Sequence, residues 1–231
     1  MILKLLWPEI CPFCGKVCRE GICPACKILL KKRSISQPYC MSCGKPLRRV
    51  EQEYCHDCEN LEHFFDCGRA IWVHKPPVNH SIYQFKYHNQ RMFGQYYADE
   101  MLKKFELVIK QWNPDLIIPI PLHFKRKRKR GYNQSMIIAK ELGKRLHIPV
   151  SDRVLKRIRS TNPQKKLDHA TRKKNLYNAF AVSKILPGVK RILLIDDIYT
   201  TGNTINEAAR ILKEAGIENV FFLTVSIGQG Y

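Results

Sequence analysis

Residues 192–204 read Ile-Leu-Leu-Ile-Asp-Asp-Ile-Tyr-Thr-Thr-Gly-Asn-Thr. Four consecutive aliphatic side chains suit a central parallel strand, which is covered on both faces and so shows no polar alternation. The stretch that follows, Thr204 to Gly216, spaces Ile205, Ala208, Ala209 and Leu212 along one helical face and then offers Gly216 for a left-handed cap. Strand, hydroxyl-rich turn and helix together form an α/β unit. The head of such a helix carries unpaired amides and a partial positive charge, so an anionic phosphate fits the turn. Thr200, Thr201, Asn203 and Thr204 add polar groups, and Gly202 lets the backbone approach the anion. Asp196 and Asp197, at the carboxyl end of the strand, can accept hydrogen bonds from vicinal hydroxyls, and open α/β sheets bind ligands at that edge. One ligand satisfies both halves: a ribose bearing a 5-phosphate.

The segment resembles the phosphoribosyl diphosphate (PRPP) motif of type I phosphoribosyltransferases, in which an acidic pair holds the ribose hydroxyls and a threonine-glycine loop holds the 5-phosphate. The alternative is a βα unit whose Asp-Asp caps a solvated loop, but the complete Thr-Thr-Gly-Asn-Thr loop beside the pair is far more specific than an isolated glycine turn.

Ten cysteines dominate the other end of the chain. Cys11/Cys14, Cys23/Cys26, Cys40/Cys43 and Cys55/Cys58 form four CxxC pairs, enough for two tetrahedral sets of thiolate ligands. Two structural zinc ions are expected, closed by four sulfurs each and thus without an open position for catalysis. Sequential pairing, Cys11/Cys14 with Cys23/Cys26 and Cys40/Cys43 with Cys55/Cys58, is the expectation; crossed arrangements use the same ligands. Gly15, Gly21 and Gly44 sit where the knuckles bend, while Cys18, Cys67 and His56 are left over. Apolar residues are few before position 60, so the metal is expected to supply much of the local folding free energy.

The segment Met1 to Ile10 has a short apolar run broken by Lys4 and stopped by Pro8, without the core or cleavage site of a signal peptide. With no long apolar stretch, a membrane span is not expected. The sequence is read as cytoplasmic, where cysteines stay reduced and clusters bind metal.

The net charge is +20, and residues 119–175 carry 18 Lys and Arg against 3 Asp and Glu. Three quarters of the excess thus lies in one quarter of the chain. A single PRPP needs few cations, whereas a nucleic-acid backbone rewards each neutralised phosphate with counterion release. Lys125, Arg126, Lys127, Arg128, Lys129 and Arg130 are the candidate nucleic-acid contacts, in what reads as a loop from Pro121 to Gln134. A charged loop kept merely soluble would look similar.

Between these landmarks, Asn79–Tyr87 reads as a short helix opened by an Asn cap and 91–112 as a longer one. Asp115 to Ile120 reads as the first core strand, which Pro119 ends. A helix with Ile138, Leu142 and Leu146 on its inner face follows the basic run. Phe85 and Tyr87 offer rings for a base, although core packing is the commoner role at that spacing.

Ile-Pro-Ile-Pro-Leu at 118–122, Arg130-Gly-Tyr-Asn-Gln134, Phe85-Lys-Tyr87, Thr161 with Gln164, Arg172 with Asn175, the PRPP motif and the paired CxxC ribbons together resemble the ComF family. Tyr132 replaces its commoner Phe, a change expected to matter little. The resemblance implies an α/β fold: a type I phosphoribosyltransferase-like parallel sheet flanked by helices, preceded by a small zinc-ribbon domain. Residues 1–65 would form the double zinc ribbon and 66–231 the phosphoribosyltransferase-like domain. It also implies PRPP with Mg2+ as ligand, Arg130 and Gly131 at the diphosphate, and 157–175 as a hood. Arg172 joins Asp196 and Asp197 as a candidate catalytic residue, because its planar fork suits phosphate oxygens. The family acts in natural transformation, so the expected partners are single-stranded DNA and a DNA-translocating helicase. The alternative is an active phosphoribosyltransferase of nucleobase or nucleotide salvage.

Overall fold

The computed structural model describes residues 10–18, 21–159, 178–183, 185 and 187–229. In chain order its elements are α1 (Pro24–Arg33), α2 (His56–Asn60), β1 (Cys67–Val73), α3 (Val78–Tyr87), α4 (Phe93–Trp112) and β2 (Leu116–Pro119). There follow α5 (Phe124–Arg130), α6 (Gln134–Leu146), β3 (Leu155–Arg157), β4 (Phe180–Val182), β5 (Arg191–Tyr199), α7 (Asn203–Glu214) and β6 (Asn219–Ile227). β1, β6, β5 and β2 form a four-stranded parallel sheet in that order, and β3 pairs with β4 in a separate antiparallel ribbon.

The aliphatic run is the centre of this sheet. Ile192, Leu193, Leu194 and Ile195 are all fully buried, with β6 on one side and β2 on the other. Strand alternation divides them. Leu193 and Ile195 pack with Met101, Ile109, Ile138 and Leu142 of α4 and α6. Ile192 and Leu194 pack with Ile205, Ala208, Ala209 and Leu212 of α7. The chain therefore leaves β2 toward one face and β5 toward the other, and these neighbouring strands bound a topological switch point, where open α/β sheets hold ligands. α7 ends in a Schellman arrangement: Gly216 has φ +94°, Ile217 N–H donates to Leu212 O (3.1 Å) and Gly216 N–H to Lys213 O (3.0 Å).

Two expectations need correction. The first strand of the sheet is β1, not the segment after Asp115; Gly68, which packs under Phe222, and Arg69 interrupt its apolar pattern and hide a strand with no exposed residue. The longer helices fall as expected, but α3 is entered through Pro77 and has no side-chain cap.

The ribbons are built into the fold. Phe13, fully buried, meets Trp72 of β1 and Tyr96 of α4 edge-on at 5.5 and 5.6 Å. β1 is a sheet edge, and the cysteine segment covers it: Ile35 N–H donates to Ile71 O (3.1 Å) and Gly68 N–H to Ser42 O (2.7 Å). Lys104 of α4 clamps the same seam by donating to Ser34 Oγ, Ile35 O and Ile71 O at 2.5–2.9 Å. Burial there lowers its ammonium to about 8. Phe13, Ile22, Leu30 and Ile35 thus add apolar burial to whatever the metal contributes. No helix among the described residues is long and apolar enough to cross a membrane.

Candidate functional site

A cavity of about 600 Å3 lies at the switch point between β2 and β5. Its floor carries both aspartates. Asp196 Oδ1 accepts from Ser135 Oγ (3.1 Å), at the head of α6, and from the Asp197 amide (2.9 Å). Asp197, 7 % exposed, pairs with Lys86 of α3 at 2.7 Å. Burial and the neighbouring Asp197 charge push the Asp196 carboxyl up to about 7, with Lys86 opposing them. A carboxyl held so far above its ordinary value is costly for the fold and typical of a site awaiting a partner.

Thr200 and Thr204 line the same cavity, and Gly202 and Asn203 complete a dent beside it. Gly202 has φ +76°, and a Cβ there would collide with the Tyr199 hydroxyl, so only glycine fits. The first helical bond of α7 runs from Asn206 N–H to Gly202 O (2.8 Å), which turns the head of the helix toward the loop. Thr201 Oγ1 and Asn203 Nδ2 are buried without a hydrogen-bond partner, as is Gln134 Nε2 on the opposite wall. Buried polar groups are rarely left unpaired, and each costs about 1–3 kcal/mol. Unpaired buried groups in this loop, together with Gln134 and two carboxylates at the cavity, leave hydrogen-bonding capacity for a polar ligand.

The walls are cationic: Lys86, Arg126, Lys129, Arg130 and Arg157 all line the cavity. The basic run proves to be helix α5 rather than a loop, closed at its end by Gly131 at φ +81°. Helical periodicity sorts its charges. Arg126, Lys129 and Arg130 turn to the cavity, while Lys125, Lys127 and Arg128 are exposed and do not line it. Gly131 is not at the cavity either; its N–H donates to Lys127 O (2.8 Å), so its amide closes the helix. His123 starts that helix by accepting from Lys125 N–H at 3.4 Å, and burial together with Arg157 lowers its pKa, which keeps the ring an acceptor. Arg172, with Thr161, Gln164, Asn175 and most of the 157–175 hood, lies outside the described residues. Arg157 is the hood residue seen at the cavity.

Lys86 and Ser135 were not singled out by sequence, and Arg157 entered only as the start of the hood. Lys86 sits in the Phe-Lys-Tyr triplet, and its helical phase against buried Phe85 is the signal that could have found it. Phe85 is fully buried and cannot stack on a ligand, whereas Tyr87 is 59 % exposed. The Tyr132 hydroxyl is not idle: it donates to Phe85 O and ties the α5–α6 junction to the helix bearing Lys86.

The cysteines form two groups, Cys11/Cys14/Cys23/Cys26 and Cys40/Cys43/Cys55/Cys58, each with all sulfurs within 4.8 Å of one another. Sγ–Sγ separations of 3.6 Å for Cys14–Cys23 and Cys43–Cys55 match a tetrahedron of Zn–S bonds, whose edge is about 3.8 Å. The pairing is sequential and both sets are four-sulfur, so these are structural zinc sites. His56 stands exposed beside the second set.

These features define a zinc-ribbon protein with a phosphoribosyltransferase domain. The family model for the double zinc ribbon domain matches residues 2–59, and that for the phosphoribosyl transferase domain matches residues 98–227. Competence protein F of Haemophilus influenzae is 33 % identical over 214 residues, covering 88 % of this chain and 89 % of that protein. DNA utilization protein YhgH of Escherichia coli K12 is 26 % identical over 212 residues, with 90 % and 92 % covered. Competence protein ComFC of Bacillus subtilis is 27 % identical over 206 residues, with 85 % and 80 % covered. The chain belongs to the ComF family of phosphoribosyltransferase-domain proteins, alongside competence protein F.

Proposed function

We propose that this chain handles incoming single-stranded DNA in the cytoplasm during natural transformation, and binds Mg-PRPP in the cavity at the switch point. The observation that carries the reading is the sorting of α5: three of its cations belong to the cavity and three face outward. One short helix thereby joins a sugar-phosphate site to a polyanion track. In the cavity, Asp196 and Asp197 accept the ribose hydroxyls, Lys86 leaves Asp197 as they arrive, and Thr200 to Thr204 with the head of α7 hold the 5-phosphate. Arg126, Lys129, Arg130 and Arg157 face the diphosphate. Magnesium neutralises diphosphate charge when bound, and Asp196 and Asp197 are the carboxylates at the cavity through which the protein would reach it.

Along the outward face, Lys125, Lys127 and Arg128 neutralise backbone phosphates, so log affinity should fall linearly with log salt. The names of the relatives, a competence protein and a DNA utilization protein, support this reading. A DNA-translocating helicase would dock on the ribbons, where Ile28, Met41 and Val50 are exposed by 59, 55 and 78 %. The residues 1–65 and 66–231 then serve as partner-facing and ligand-facing parts of one body.

The test is anisotropy of a labelled oligo(dT) strand across salt concentrations, with and without PRPP. Steep salt dependence that flattens in Lys125→Ala/Lys127→Ala/Arg128→Ala supports the reading. Salt-insensitive binding, or none, removes the DNA role.

A second reading is an active phosphoribosyltransferase, favoured by the acid pair facing a cationic wall across one cavity. Electrostatics and positioning would carry that reaction. Release of diphosphate from PRPP on adding a nucleobase would establish it; its absence with all nucleobases leaves PRPP as a bound regulator.

A further inference from the structure

The outer face of α3 carries aromatic side chains that the core does not use. Val78, Ser81, Ile82 and Phe85 form its buried face, whereas Tyr83 and Tyr87, one turn apart, are 48 % and 59 % exposed. Their rings lie 5.0 Å apart, and the exposed ring of His88 lies 5.5 Å from Tyr83. Three neighbouring exposed rings stand apart from the buried face of α3 and present one aromatic patch to solvent.

Their position gives them a use. Tyr87 lines the cavity mouth, and the Arg130 guanidinium lies 5.0 Å from the centre of its ring. Arg130 belongs to α5, so the aromatic row begins where the cationic helix ends. Lys86 and Arg91 flank it on the same chain segment, and Arg91 lies over the Tyr132 ring at 4.8 Å. The surroundings of the rings are thus strongly positive. Exposed rings beside a line of cations are what a single strand requires: phosphates take the charges, and unpaired bases take the π faces.

We infer that Tyr83, Tyr87 and His88 form a base-stacking step for single-stranded nucleic acid, running outward from the mouth of the cavity at the C-terminal end of α5, where Arg130 meets Tyr87. The inference rests on the proposed DNA role of α5 and adds to it a site for the bases. Duplex DNA, whose bases are stacked on one another, cannot use the step, so the step makes the surface selective for single strands. Arg130 serves both ligands, because it borders the cavity and braces the first ring.

The experiment compares oligo(dT) with an abasic strand of equal length, in native protein, in Tyr83→Ala/Tyr87→Ala and in Tyr83→Phe/Tyr87→Phe. Native protein is expected to favour oligo(dT) over the abasic strand by about tenfold or more. The alanine pair should erase that preference while leaving the salt slope unchanged, and the phenylalanine pair should keep it, which separates stacking from misfolding. Equal affinity of native protein for both strands, or a preference that survives the alanine pair, would overturn the inference. The DNA role itself fails separately, when Lys125→Ala/Lys127→Ala/Arg128→Ala leaves affinity and slope untouched; the stacking step then falls with it.

Discussion

At the residue scale the most consequential choice is a half-buried acid on the cavity floor. Asp196 sits at about 7 because burial and Asp197 both oppose its ionisation. Since the folded value lies above the unfolded one, ionisation works against the fold, and this penalty grows as pH rises from about 4 through 7. Ribose hydroxyls need the ionised form as acceptor. PRPP affinity should therefore rise between pH 6 and 8, with proton release on binding near pH 6.5 measured by calorimetry in buffers of different ionisation enthalpy. A flat profile, or proton uptake, would contradict this role for Asp196. The same logic makes Asp196→Asn neutral or stabilising in thermal melts at pH 8 while costing tenfold or more in PRPP affinity. Gly202→Ala goes the other way: with φ +76° and the Tyr199 hydroxyl in the path of the new methyl, it should lose about 1–3 kcal/mol in urea unfolding. The placement of the acid pair at a cavity and the left-handed glycine were legible in sequence, because a strand-turn-helix brings the strand's end and the turn to one sheet edge. Lys86 was hidden, because a lysine next to buried Phe85 looks like any surface cation until the helix is placed.

At the scale of elements, periodicity explains both what was legible and what was not. Four aliphatics in a row, and Ile205, Ala208, Ala209 and Leu212 at helical spacing, gave the two central elements directly. A run of six cations has no apolar stripe, so nothing in residues 124–130 announced a helix; its N-cap His123 and the left-handed Gly131 make it one. β1 was hidden for the opposite reason. Its edge is covered by the cysteine segment, so the alternation of an ordinary edge strand is missing. The division within α5 is testable: Arg126→Ala/Lys129→Ala should weaken PRPP more than DNA, and Lys125→Ala/Arg128→Ala the reverse. Equal effects on both ligands would refute the division. Tyr132→Phe, innocent by sequence, removes the donor to Phe85 O and should cost about 1 kcal/mol in denaturant unfolding.

For the whole molecule, the second cysteine set and the loop beside the cavity are mechanically continuous. Tyr199 lies beneath Gly202, is stacked on Phe222 at 4.9 Å, and has the ammonium of Lys45 at 5.9 Å from its ring centre. Lys45, buried between Cys43 and Asp57, pairs with Asp57 inside the second knuckle. The backbone N–H of Phe64 reaches Asn206 Oδ1 in α7 at 2.7 Å. Stripping zinc should therefore weaken PRPP binding as well as stability. Metal analysis should find two zinc ions per chain; one or none would remove the four-sulfur assignment. The cysteine spacing revealed the sites, but nothing in it revealed that they cover a sheet edge and support a loop far along the chain. What the carboxylate-floored cavity holds is read by calorimetry with Mg-PRPP. One Mg-PRPP is expected per native chain, and none for Asp196→Asn/Asp197→Asn, which loses the Lys86 ion pair yet should still melt cooperatively; undiminished binding by that folded variant would refute a ribose role for the pair.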